Sequence, residues 1–294
     1  MTLEEEGALQ LFYQGKCQEL CRKLGLPRKV QATSIAYIKR MYLKYSMMDH
    51  SPRLVMLTSL YLAGKTEESY ISAERIAEVV GEPTLEKAIL KFETQIIQDL
   101  DFQLIVFNPY RSLEGFCIFL RDWLEEISYD SEKIDQLSGR IKTEAYQLAD
   151  RLLLSDAVFL YPPSQCALAM MRLALQREGL DAAGFVERTC KQAGGSAGDI
   201  EAHLNHMQNL LLDAKVPSED RLKKIDLKLK QCRNPLFDKT SKVYKKMKQE
   251  EEQRKAERKR KKHLERTKNN NARNPLQQQA AGSTEGKRRR SSMD

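Results

Sequence analysis

The chain has 294 residues, 31% of them charged, and a formal net charge of +8, a size that holds one large or two modest domains. That charge is unevenly placed: residues 1–234 carry 30 Lys and Arg against 33 Asp and Glu, a net −3, whereas 235–294 carry 19 against 8, a net +11. The acidic balance of the body argues against a DNA-binding surface there. Nothing resembles a signal peptide, and the longest apolar run, Leu54–Gly64, is too short and too interrupted by Thr58 and Ser59 to span a membrane. The six cysteines are scattered without a CxxC pair, which predicts a reduced, intracellular protein.

In chain order, helix starts are frequent and strand signals almost absent. Pro27, Ser51-Pro52, Ser72, Pro83, Pro109, Ser131, Pro162-Pro163 and Pro217-Ser218 each precede a segment of helical period. They predict an all-α protein of ten or eleven helices. Val30, Ile35, Ile38, Met41 and Tyr42 give one amphipathic face, and Leu85, Ile89, Phe92, Ile96 and Leu100 another. Arg53–Gly64 and Gln165–Leu175 are apolar on nearly every side, so other helices must surround each. After Pro217, Leu222, Ile225 and Leu229 keep an apolar seam on a charged segment, predicting a packed C-terminal helix. Residues 242–268 are almost wholly Lys, Arg, Glu and Gln, fit for a solvated single helix without a core. Residues 269–286 are low-complexity and expected to be unstructured.

Two of these segments repeat. Pro52, Leu57 and Leu62-Ala63 match Pro163, Leu168 and Leu173-Ala174 at one constant offset, and upstream Arg40 matches Arg151. One helical unit is used twice. Only the first copy ends in a charged cluster, Lys65-Thr66-Glu67-Glu68; the second ends in Gln176-Arg177-Glu178. The predicted division is 1–107 for the first repeat, 108–215 for the second, 216–234 for the packed helix and 235–294 for a basic, largely disordered tail.

Lys65 stands at the C-terminal end of a buried helix, where a cation complements the helix dipole by about 0.3–1 kcal/mol and needs no further role. Glu93 is less ordinary: at 100° per residue it falls inside the apolar arc of its helix, between Leu100 and Ile97. Carboxylates are rarely buried unpaired, so an internal salt bridge, a cap and a binding role all fit it. His203 and His206 have metal-like spacing, but apolar neighbours and no nearby cysteine favour ordinary helix positions. Cys17 and Cys21, one turn apart, fit core packing. No P-loop, GxGxxG, catalytic Ser/His/Asp signature or catalytic carboxylate pair occurs, and no cofactor is implied.

A helix ending LAGKTEES, followed by Glu93 in KFETQIIQDLDFQL, resembles the cyclin box. Ile38–Tyr42 (IKRMY), Asn108–Phe116 (NPYRSLEGF) and Ser155–Gln165 (SDAVFLYPPSQ) are similar to the cyclin H branch of that family, over about residues 8–233. Four features depart from the pattern: only Met1–Gly7 precede the first box, residue 64 is glycine where a larger residue is usual, the basic tail from 235 is not part of it, and the substrate-docking MRAIL motif is absent.

The resemblance implies tandem five-helix cyclin-box repeats without catalytic activity. It implies a cyclin-dependent kinase of the CDK-activating type as heterodimer partner, with a third assembly subunit and general transcription factor IIH. It also implies that Lys65 and Glu93 hydrogen-bond to kinase backbone beside the kinase αC helix, holding its glutamate against the ATP-site lysine. No membrane and no sequence-specific nucleic acid are expected as partners. Lys287, Arg288, Arg289 and Arg290, ahead of Ser291-Ser292, are the expected nuclear localisation element. Another transcriptional cyclin, of the cyclin C type, is the alternative; a transcription factor IIB-like protein is a further one, although the chain lacks that family's zinc ribbon and basic core.

Overall fold

The computed structural model describes residues 1–127, 131–213, 218–237 and 241–285, among which there is no strand. The first repeat comprises α1 (Leu3–Lys23), α2 (Arg28–Lys44), α3 (Pro52–Thr66), α4 (Ala73–Val80) and α5 (Leu85–Asp99). The second comprises α6 (Pro109–Glu126), α7 (Ser131–Leu152), the single turn α8 (Ala157–Leu160), α9 (Pro163–Arg177), α10 (Ala182–Gln192) and α11 (Ala197–Asp213). Two helices follow, α12 (Glu219–Gln231) and α13 (Lys242–Glu285). Residues 1–232 form one compact unit and 233–294 another.

Local chemistry sets the boundaries. Pro52, Pro109 and Pro163 each open a helix, where a missing N–H costs nothing. The Ser72 and Asn108 side chains accept hydrogen bonds from Arg75 N and Tyr110 N, capping α4 and α6. Gly81, at φ +80°, stops α4 in the left-handed conformation that glycine tolerates. The repeat is also exact in length: α3 and α9 each have 15 residues.

Each of these two helices is the axis of its bundle. α3 packs against α1, α2, α4 and α5; α9 packs against α6, α7, α8, α10 and α11. Val55, Leu57 and Leu60 on α3, and Met170, Met171 and Leu175 on α9, are inaccessible to solvent, each contributing about 1.5–3 kcal/mol by burial. Leu222, Ile225 and Leu229 of α12 are buried too. That helix lies on α1, where Lys228 pairs with Glu5 at 2.8 Å.

The structure corrects one expectation. α2 is not amphipathic: Gln31, Thr33, Ser34 and Lys39 are buried along with its apolar residues. They are accommodated because partners distant in sequence satisfy them. Lys39 Nζ donates to the carbonyls of Leu154 (3.2 Å) and Ser155 (2.7 Å) and to Asp156 Oδ1 (3.2 Å), clamping the end of α7. Asp150 on α7 is a second tie, accepting from Gln31 Nε2 at 3.0 Å and from Tyr110 OH, while its backbone carbonyl accepts from Gln18 Nε2 at 2.6 Å. These contacts join the two repeats. Helix α13 includes residues 269–285 of the low-complexity stretch.

Candidate functional site

The charged cluster at the end of α3 divides by direction. Thr66 and Glu67 are bound to side chains of α2. Thr33 Oγ1 donates to Glu67 Oε1 at 2.6 Å, the Lys29 ammonium donates to the Glu67 carbonyl, and Tyr37 OH lies 3.1 Å from Thr66 Oγ1. Gly64 lets the chain fold back closely here: a Cβ would come within 3.1 Å of the Ser69 carbonyl and 3.2 Å of Ile71. Glu67 and Thr66 are therefore structural.

Lys65 faces outward and meets Glu93 from α5, Nζ to Oε1 2.7 Å, with side chains 40% and 17% exposed. The Lys65 ammonium also lies 4.5 Å from the centre of the Tyr61 ring. Burial disfavours the charged form of Lys65, but its hydrogen bonds to Glu93 and Tyr61 outweigh that effect and raise its pKa above the ordinary value. The structure thus brings together the two residues singled out in the sequence and pairs them within the chain. In the second repeat Gln176 stands at the position of Lys65, and its Oε1 accepts from Gln208 Nε2 of α11 at 3.5 Å. The helix pair is duplicated without its charges.

Around the ends of α3 and α5 lies a surface that the sequence patterns do not single out. Leu90, one turn before Glu93, is exposed, as are Phe102, Ile105 and Phe107 in the segment leaving α5. Tyr37 OH donates to the Leu104 carbonyl at 2.6 Å, drawing that segment past the end of α3. Asp101 and Phe102 both adopt left-handed conformations, φ 55° and 60°, each costing on the order of 1–3 kcal/mol for a non-glycine residue. Arg40 holds the turn by donating to the carbonyls of Gln103 (2.6 Å) and Leu100 (3.1 Å). Lys44 holds it by pairing with the Asp101 carboxylate and donating to the Asp99 carbonyl at 2.7 Å. The result is a phenylalanine fixed in solvent at the cost of backbone strain. The only signal in the sequence is an apolar run, Leu104–Phe107, lying outside any helix.

The remaining candidates fall elsewhere. His206 Nδ1 is 2.5 Å from Tyr161 OH and His203 Nδ1 is 3.2 Å from Gln165 Oε1, so both rings tie α11 to the start of α9. Among the described residues no group of three or more His, Cys, Asp or Glu is placed to hold a metal ion. Cys17 and Cys21 are fully buried in the core, with Cys17 Sγ 3.1 Å from Ser34 Oγ. Lys287, Arg288, Arg289 and Arg290 lie outside the described residues. Among the described residues no helix is long and apolar enough to cross a membrane.

Comparison with known proteins places this geometry in context. The family model for the cyclin N-terminal domain matches residues 17–105, and that for the cyclin C-terminal domain matches 108–262. Cyclin-H1-1 of Arabidopsis thaliana is 36% identical over 235 residues, covering 79% of this chain and 68% of that protein. A chain in the structure of the CAK complex from Chaetomium thermophilum bound to ATP-gamma-S shares the fold. It has a TM-score of 0.71 and 23% identity, over 86% of this chain and 80% of that one. A chain of the yeast TFIIK (Kin28/Ccl1/Tfb3) complex aligns with a TM-score of 0.58 and 26% identity, over 71% of this chain and 88% of that one.

Proposed function

This chain belongs to the cyclin family, and from that premise we propose that it is the regulatory subunit of a cyclin-dependent kinase of the CDK-activating type. The likeness to Cyclin-H1-1 and to chains of the CAK and TFIIK complexes supports the choice of kinase class. The observation that carries the proposal is the Lys65–Glu93 pair, partly exposed one turn from the exposed Leu90, with uncharged Gln176 at the position of Lys65 in the second repeat. A polar pair set among exposed apolar side chains is the arrangement of an interface centre, with apolar area for affinity and charges for register.

In this role Lys65 and Glu93 donate to and accept from main-chain groups at the end of a kinase helix, where such groups lack intrahelical partners. The contact holds the kinase αC helix where its glutamate pairs with the ATP-site lysine. The chain supplies no phosphotransfer chemistry of its own. Assembly with a third subunit and with general transcription factor IIH, and a nuclear location directed by Lys287–Arg290, belong to the same proposal. The test is to assay the purified full chain alone and with CDK-activating-type kinases. No phosphotransfer alone and strong stimulation of a bound kinase are expected. Intrinsic activity that survives repurification, or stimulation of none of the kinases, would refute the proposal.

A further inference from the structure

The second unit carries a different surface. From Arg254 to Lys262 helix α13 has seven basic residues and one acidic residue, all exposed. At 100° per residue, Lys261, Arg254, Arg258, Lys262, Lys255 and Lys259 fall within an arc of roughly 160°, while Ala256, Glu257 and Arg260 lie outside it. Lys255 pairs with Glu251; among the described residues the other five make no ion pair. Six cations thus share one face over about 12 Å of helix axis, at 1.5 Å rise per residue.

We propose that this face of α13 binds duplex DNA through its phosphates, without sequence preference. Duplex DNA presents one negative charge per about 1.7 Å of axis, so the face matches its charge density over that length. An α-helix with its side chains, about 10–12 Å across, fits the B-form major groove, about 12 Å wide. The arc is broad enough for Arg254 and Lys261 to reach one backbone and Lys259 and Lys255 the other. The deep, narrow major groove of duplex RNA does not admit such a helix. A helix that inserts into a membrane interface carries an apolar face opposite the charges, and residues 254–262 contain one apolar side chain, Ala256. The proposal does not depend on the kinase role of the first unit.

The test measures binding of the full chain to a fluorescent 20-base-pair duplex between 50 and 200 mM salt. Each neutralised phosphate contributes about −0.9 to the slope of log affinity against log salt, so five or six contacts give a slope near −5. Replacing Arg254, Arg258, Lys259, Lys261 and Lys262 with Gln, a good helix former, should flatten the slope by about 4 with helicity retained. A second variant, Glu257→Arg with Arg258→Glu, keeps the net charge but puts an acid inside the face, and should weaken binding at 50 mM salt at least fivefold. Unchanged affinity in this charge-neutral swap would overturn the proposal in favour of a diffuse charge cloud. Equal competition by phosphatidylserine vesicles, single-stranded RNA or polyglutamate at matched salt would overturn the assignment to duplex DNA.

Discussion

Replacing Lys65 or Glu93 with alanine separates an interface role from a structural one, because the two roles differ in where the energy appears. In the free protein the pair is 2.7 Å long, but Lys65 is 40% exposed, and solvent-screened pairs of this kind contribute about 0.2–1 kcal/mol. For a unit of 232 residues, 1 kcal/mol shifts the melting temperature by about 2–4 °C. In a kinase complex the same groups would be desolvated, and truncating one partner of a buried polar contact costs about 2–5 kcal/mol. At 1.4 kcal/mol per decade that is at least roughly a thirtyfold loss of affinity. Thermal melting and kinase affinity, measured on Lys65→Ala, Glu93→Ala and Gln176→Ala, provide the comparison. The first two should lose affinity with a melting shift of no more than about 4 °C; the third should change neither. Affinity within threefold of wild type in both, or equal losses in all three, would refute the assignment of these residues.

Phe102→Gly should raise the melting temperature by a few degrees, because glycine relieves the left-handed backbone with little loss of burial. It should also weaken kinase binding about tenfold; a stabilised variant of unchanged affinity would remove Phe102 from the interface. Lys39→Met should destabilise the first unit by roughly 2–4 kcal/mol, since hydrogen bonds from a charged donor to the ends of α7 are lost, which denaturant melts would show. Burial lowers the Lys39 pKa below its ordinary 10.5. Its charge therefore costs stability at neutral pH, and that cost fades as pH rises from the folded pKa toward 10.5. The deficit of Lys39→Met against wild type should accordingly grow with pH in that window, and a deficit that shrinks would refute the sign. Deleting residues 235–294 should leave kinase activation intact in moderate salt; loss of activation would make the tail part of the activating surface.

How much of this was legible in the sequence depended on whether a residue's partners were close along the chain. α3 and α9 could be read because each bundle axis is specified locally, by a proline at the first turn and a largely apolar run with no polar face. Glu93 could be read as anomalous for the same reason: its own helix supplies the apolar arc that it interrupts. α2 could not be read, because its polar residues look like a solvent face to any local pattern. Lys39 is buried against groups 115 to 117 positions away, and Gln31 against one 119 positions away. Periodicity reports how a helix meets one neighbour, whereas α2 is sandwiched between its own bundle and the next. The exposed Phe102 escaped for the opposite reason. Its position comes from a turn held open by Arg40 and Lys44 across helices, and an apolar residue ahead of Leu104–Phe107 looks like core until the backbone is known. The same division runs through function. Residues held by neighbours in their own repeat set the shape, and both copies retain them. Among the described residues, the Lys65–Glu93 pair and the strained turn after α5 belong to the first copy alone, where the kinase-binding proposal needs asymmetry.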